Sequence, residues 1–253
     1  MNFDSFPKEL PALFPPLSAH TVCIWRVDLD RPHAALEELA ACLIAEERQR
    51  ADRFVREVDR RRFTVSHAVL RMLLGRYLNL PPEHVEMSIA PGGKPELTRA
   101  SGTSCPRFNL SHSERLALIA LTMDRAVGVD VEHVRPMTDV KNIVERYFAP
   151  REQAVWHVLL EQERLAAFFR CWTRKEAYLK AQGIGLSGGL DHFEVSFAPD
   201  DPVRLIRDDD RPDATTRWQL HDVAVEEGYV AACAVEREVE KILVFDWPAS
   251  TAR

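Results

Sequence analysis

The chain has 253 residues, 46% of them hydrophobic and 28% charged, with a formal net charge of −6. That length and balance supply a core for one large domain or two small ones, and exclude collagen, a coiled coil and long disorder. The acidic excess argues against broad nucleic-acid binding, and no apolar run approaches the roughly 18 residues of a membrane helix. The opening residues lack the basic-then-apolar pattern of a signal peptide, so the expectation is a soluble cytoplasmic protein.

Residues 1–20 are proline-rich and are expected to form an irregular N-terminal arm. A strand is predicted at Val22–Asp28, then a helix from Ala34 to about Val55, then a second helix capped by Asp59. The second helix carries the apolar stripe Phe63, His67, Leu70, Leu74, Tyr77 and Leu78, and Pro81-Pro82 ends it. Short strands follow at Val85–Ala90, Phe108–Ser111 and Leu116–Leu121, separated by loops around Gly92-Gly93-Lys94-Pro95 and Ser101-Gly102. The order then recurs: a strand at Ala126–Glu132, helices at Val140–Phe148, Arg151–Leu160 and Glu163–Gln182, then strands at Phe193–Phe197, Val203–Ile206, Trp218–Val225, Tyr229–Val235 and Ile242–Phe245. The two starts lie about 104 residues apart without visible identity between the repeats. The predicted class is α+β, two packed halves spanning 21–124 and 125–253.

Gly128-Val129-Asp130-Val131-Glu132 alternates, so on a strand Asp130 and Glu132 share the face opposite the valines. An exposed Asp-x-Glu is commonplace, but the helix around Trp172 adds a third carboxylate. At 100° per residue, Glu176 falls inside the stripe made by Leu165, Phe168, Phe169, Trp172 and Leu179, with Lys180 at its edge. A carboxylate there must be paired, neutralised or metal-bound. Should Asp130, Glu132 and Glu176 converge, their repulsion is relieved by a hard divalent cation. An all-oxygen set suits Mg²⁺ or Mn²⁺ over Zn²⁺, and Mg²⁺ so held shares its shell with substrate phosphates.

Cations for those phosphates are available in Lys94 and in a window from Glu46 to Arg62 with seven arginines against five acids. Ser111 and His112 end a strand; as neighbours they face opposite ways, which suits two phosphate-contacting donors better than a nucleophile–base pair. The string Gly183-Ile184-Gly185-Leu186-Ser187-Gly188 matches a dinucleotide fingerprint but follows a helix instead of a strand, so Gly183 is read as a helix stop. The five cysteines are far apart among apolar neighbours and are read as buried free thiols.

Gly128-Val129-Asp130-Val131-Glu132 followed by Trp172-Thr173-Arg174-Lys175-Glu176-Ala177-Tyr178-Leu179-Lys180 closely resembles the two signature motifs of surfactin-type 4′-phosphopantetheinyl transferases. Gly93-Lys94-Pro95 and Phe108-Asn109-Leu110-Ser111-His112-Ser113 resemble two upstream motifs of that family, in the same order. The resemblance implies a monomeric pseudo-dimer of two similar α+β halves with the active site at their junction. It implies transfer of the phosphopantetheine arm of coenzyme A to a serine of an apo acyl, peptidyl or aryl carrier protein, releasing 3′,5′-ADP. Such carriers serve fatty-acid, polyketide or nonribosomal-peptide synthesis.

By motif match, Asp130, Glu132 and Glu176 would hold Mg²⁺, and Glu176 could also act as general base. Lys180 would bind phosphate and could protonate the leaving group. Ser111 and His112 would contact phosphate, while Lys94, Pro95, Arg50 and Arg62 would lie along the nucleotide. Two other readings use the same residues: a Mg²⁺-dependent phosphodiesterase acting on coenzyme A, and a non-catalytic protein binding coenzyme A or carriers. Glu47 and Phe63 depart from residues common in the family, and Arg174 is expected to add a cation beside the site, with no role derivable from sequence.

Overall fold

A computed structural model describes residues 14–31, 36–98, 103–185 and 189–248 of the chain. The strand β1 (Thr21–Asp28) leads to three helices, α1 (Leu36–Ala41), α2 (Ala45–Asp52) and α3 (Glu57–Leu78). The single helix expected to run to Val55 is thus broken. Glu47 reaches back to accept the Ile44 N–H at 3.2 Å, which starts a new helix where neither glycine nor proline marks one. The cap of α3 is also earlier than predicted, at Arg56 instead of Asp59. Leu78 ends it, with Asn79 left-handed at φ 54°.

A hairpin of β2 (Met87–Ile89) and β3 (Pro95–Leu97) follows, where only one strand and a loop were expected. Then come β4 (Pro106–Ser113) and β5 (Leu116–Met123). The second half repeats this plan: β6 (Val127–His133), α4 (Val140–Tyr147), α5 (Pro150–Val158), α6 (Glu161–Gln182) and a hairpin of β7 (Phe193–Val195) and β8 (Leu205–Asp208). A short α7 (Ala214–Arg217), not anticipated, precedes β9 (Trp218–Asp222) and β10 (Tyr229–Glu236).

The hydrogen bonding makes the repeat explicit. In the first sheet β1 pairs antiparallel with β5, and β5 with β4; in the second, β6 pairs antiparallel with β10, and β10 with β9. Each half therefore joins its first strand to its last and its last to its penultimate. The final strand, β11 (Lys241–Asp246), corrects the simple division by sequence: it returns to pair parallel with β1 in the first sheet.

Alternation decides the layers. Val22, Ile24, Leu118 and Ala120 of the first sheet meet Val127, Val129, Val131, Cys233 and Val235 of the second in a shared core. On the outer faces, α3 covers the first sheet through Val65, Val69 and Leu73, and α6 covers the second through Ala177, Tyr178 and Ala181. The order of layers is helix, sheet, sheet, helix. The described end of the N-terminal arm is more ordered than expected: Phe14 stacks on Trp25 at 5.1 Å, and Tyr77 donates to the Pro15 carbonyl. Its residues 1–13 lie outside the described residues, as do Ser101 and Gly102. All five cysteines are free; Cys42 is half-buried and the others are buried. Among the described residues no helix is long and apolar enough to cross a membrane.

Candidate active site

The junction of the halves is made where β4 lies beside β6 without backbone pairing. Alternate side chains of β4 bridge the gap. Asn109 Oδ1 accepts the Val129 N–H at 2.8 Å, and Ser113 Oγ accepts the His133 N–H at 3.1 Å and donates to Glu132 at 2.9 Å. Between them, Ser111 Oγ donates to Asp130 Oδ1 at 2.9 Å. These are the residues of the two strand motifs, brought face to face.

Helix α6 completes the site because β6 has no side chain at Gly128. A Cβ there would lie 2.1 Å from the Ala177 carbonyl oxygen and 2.3 Å from the Ala181 nitrogen, both backbone atoms that cannot yield. Ala232 and Ala234, paired with Asp130 and Gly128, keep the rest of that face low. The helix therefore lies close against the strand face that carries Asp130 and Glu132. Lys180 Nζ donates to Asp130 Oδ1 at 2.6 Å and to Ser111 Oγ at 3.0 Å.

Two buried carboxylate oxygens in this cluster, Asp130 Oδ2 and Glu176 Oε1, have no hydrogen-bond partner. Leaving such atoms unsatisfied is costly, and their proximity makes it worse. Burial first, then Asp130 and Glu132, push the Glu176 carboxyl up to about 7 against the opposing pull of Lys180. Glu132 is raised by burial and by Asp130. Among the described residues, no three acidic, histidine or cysteine side chains are gathered tightly enough to enclose an ion by themselves. The donor set nevertheless fits a hard cation: oxygen ligands only, two of them orphaned, all mutually repelled.

The anion side is partly as expected. Ser111 is buried and His112 exposed, so the neighbours do face opposite ways. His112 is held below its ordinary pKa by desolvation, then by the cations Lys180, Arg62 and Arg50. A phosphate arriving among these cations would favour protonation of the ring. Arg50 makes no ion pair among the described residues; its guanidinium lies 5.3 Å from the Phe63 ring centroid, and Phe63 stacks on His67 at 3.8 Å. Phe63 thus supports the cation in place of a polar contact.

Other predicted site residues are placed differently. Arg62 is paired bidentately with Asp30, at 3.0 and 2.8 Å, and with Glu114 at 3.0 Å, so its charge is already met within the chain. Lys94 donates to the carbonyls of Val127 at 2.8 Å and Ala181 at 3.5 Å, while Pro95 opens β3. Arg174 is not beside the site: buried on the far side of α6, it grips Asp222 at 3.0 and 2.7 Å and fastens the helix to β9. Gly183 caps α6 at φ 72°, as predicted, and Gly185 follows it left-handed; 186–188 of the fingerprint-like string lie outside the described residues.

One structural feature beside the site gave no signal in the sequence. Lys175, beside Glu176, is fully buried and donates to Glu152 at 2.7 Å and to the carbonyls of Leu190 and Phe193 at 2.7 and 2.6 Å. Glu152 in turn accepts the Ala149 and Val195 N–H groups at 2.9 and 2.8 Å. The first half has the same device. Arg71 is fully buried, bonds Glu47 at 2.5 Å, and donates to the carbonyls of Pro82 and Val85 at 3.0 Å each. Glu47, the unexplained departure, is thus a structural partner of Arg71.

Family models extend over both halves: a 4′-phosphopantetheinyl transferase N-terminal model matches residues 30–124, and a 4′-phosphopantetheinyl transferase superfamily model matches residues 126–234. The chain is 38% identical to the 4′-phosphopantetheinyl transferase HetI of Nostoc over 87% of this chain and 89% of that protein. The chain belongs to the 4′-phosphopantetheinyl transferase family. It is also 27% identical to the 4′-phosphopantetheinyl transferase Sfp of Bacillus subtilis, covering 83% of this chain and 91% of that one. A Xenopus laevis relative, the L-aminoadipate-semialdehyde dehydrogenase-phosphopantetheinyl transferase, is 29% identical over 63% of this chain and 56% of its own. Within the family the chain is an enzyme of the transferase class, and its α+β pseudo-dimer places the acidic cluster at the junction of the halves.

Proposed function

We propose that this enzyme moves the 4′-phosphopantetheine arm of coenzyme A to a serine of an apo acyl or peptidyl carrier protein, releasing 3′,5′-ADP. One observation carries the reading: unpartnered buried oxygens of Asp130 and Glu176 lie beside Lys180, Ser111 and Glu132. Asp130, Glu132 and Glu176 would hold Mg²⁺. When bound, the cation supplies a Lewis acid for the pyrophosphate and neutralises charge on its departing oxygens.

The chain's own residues do the rest. Ser111, His112 and Arg50 hold the phosphates; Arg62 is already paired with Asp30 and Glu114, and Lys94 with the Val127 and Ala181 carbonyls. Glu176 takes the proton of the carrier serine, directly or through one water. The serine oxygen forms a bond to the phosphorus that carries the pantetheine. The bond from that phosphorus to the bridging oxygen breaks, and 3′,5′-ADP leaves. Lys180 stabilises the leaving phosphate and donates a proton to it. Because one chain supplies both halves, 21–124 and 125–253 with β11 returned to the first sheet, the enzyme works as a monomer. Its place is the cytoplasm.

The reading predicts that 3′,5′-ADP appears only when enzyme, coenzyme A, Mg²⁺ and an apo carrier are all present, and that excess chelator abolishes it. Release without a carrier would instead identify a phosphodiesterase. Release undiminished by chelator would remove the metal from the account.

A further inference from the structure

Lys94 sits in the turn of the β2–β3 hairpin, in the first half, yet its ammonium is spent entirely on the second. It donates to the Val127 carbonyl, at the first residue of β6, and reaches the Ala181 carbonyl in the last turn of α6. Carbonyls at a helix C-terminus carry partial negative charge and lack helical partners, so a cation is well placed there. The hairpin approaches closely through glycine. A Cβ on Gly92 would lie 1.5 Å from the Gly183 carbonyl oxygen, and one on Gly185 would lie 3.2 Å from the Gly92 carbonyl oxygen. Gly183 and Gly185 are both left-handed, at φ 72° and 62°. This is a backbone-on-backbone contact that a larger residue at 92 would force apart.

The two groups that Lys94 joins bracket the acidic cluster. Val127 stands three residues before Asp130 on β6, and Ala181 immediately follows Lys180 on α6. We propose that Lys94 and the Gly92 turn form a latch between the halves, making Lys94 a positioning residue that fixes β6 against α6 and so sets Asp130 against Lys180. Burial holds the Lys94 ammonium down to about 8, the state of a group committed to the interior. The neighbouring carboxylate Glu96 is engaged with Arg107 at 3.1 Å, and the hydrogen bonds of Lys94 among the described residues go to the two carbonyls. The same contact accounts for Gly183 and Gly185 of the fingerprint-like string, which receive the hairpin.

The experiment compares wild type with Lys94→Met, Lys94→Arg and Gly92→Ala, reading kcat, KM for coenzyme A and thermal unfolding. The kinetic arm rests on the transferase reading, so wild-type turnover is established first; the unfolding arm is read without turnover and distinguishes failure of that reading from failure of the latch. K94M and G92A are each expected to lower kcat at least about tenfold, change KM less than about threefold and lower Tm, although G92A removes no charge. K94R, which keeps charge and donors, is expected to recover at least about a third of kcat. A tenfold rise of KM in K94M would make Lys94 a nucleotide ligand and overturn the latch. So would wild-type kcat and Tm in G92A, or a K94R variant no better than K94M.

Discussion

Glu176→Gln is expected to slow transfer by about 10²–10⁴-fold and, in the same molecule, to raise the melting temperature of the metal-free protein at pH 8. The first effect follows from the proposed mechanism, in which the substitution takes away a proton acceptor and a metal ligand together. The second follows from the pKa, which rises on folding from 4.5 to about 7. Between those values the folded state retains a proton that the unfolded chain has released, so stability falls as pH rises through the window, and the full cost is present above it. Glutamine does not titrate. Allowing for partial exposure, the gain at pH 8 is about 1–3 kcal/mol, or roughly 3–9 °C in a domain of this size, and it disappears below about pH 4.5. Calorimetry of the metal-free proteins at pH 4 and pH 8 decides the point. A variant less stable than wild type at pH 8 would mean that Glu176 is well satisfied without a metal.

Lys175→Met is expected to cost about 3–5 kcal/mol, because it strands the Glu152 carboxylate in an interior that water does not reach. That is a large part of the roughly 5–15 kcal/mol by which a domain is stable. Arg71→Met should do the same in the other half by stranding Glu47, which is half-buried but bonded to a fully buried guanidinium. Adding Glu152→Gln to Lys175→Met should recover much of the loss, whereas adding Glu47→Gln to it should recover none. Denaturant unfolding of the single and double variants gives these couplings. Additive losses for Lys175 and Glu152 would contradict the strut.

The two struts also show how the halves diverged. Arg71 and Lys175 are each the fifteenth residue of their long helix, and Glu47 and Glu152 each the third of a short one. With the helices so aligned, Met72 and Arg76 stand where the second half has Glu176 and Lys180. On β1 the face that matches the one carrying Asp130 holds Trp25 and Val27, since Val22 and Ile24 face the shared core as Val129 and Val131 do. The scaffold was kept in both halves, and the acidic cluster in one. The counterpart face is filled by the buried apolar side chains Trp25, Val27 and Met72.

The sequence was most informative where a polar residue broke an apolar pattern. Alternation placed Asp130 and Glu132 on one face of β6; Glu176, expected on a core-facing stripe, lies instead with Trp172 and Lys180 on the half-buried face of α6, with one carboxylate oxygen buried. Residues that conform to expectation were silent. Glu47 and Glu152 look like ordinary first-turn acids, and nothing local distinguishes a capping carboxylate from one that also receives a buried cation. Nearness in sequence to Glu176 does not put Arg174 beside the site, because two residues along a helix are a 200° turn. β11 was recognised as a strand, but its partner was decided by the free edge of β1, some 220 residues earlier, which no local pattern records. The arginines near the site illustrate the same limit: composition counted seven, and only contacts show that Arg62 is engaged while Arg50 rests on an aromatic ring.

The most direct test is the intact mass of an apo carrier protein after incubation with coenzyme A, Mg²⁺ and either wild-type enzyme or Asp130→Ala. The account predicts that wild type adds one phosphopantetheine to the carrier serine and that the variant, still folded, adds none on the same time scale. Modification by Asp130→Ala at the wild-type rate, or no modification of acyl and peptidyl carriers by wild type, would contradict it.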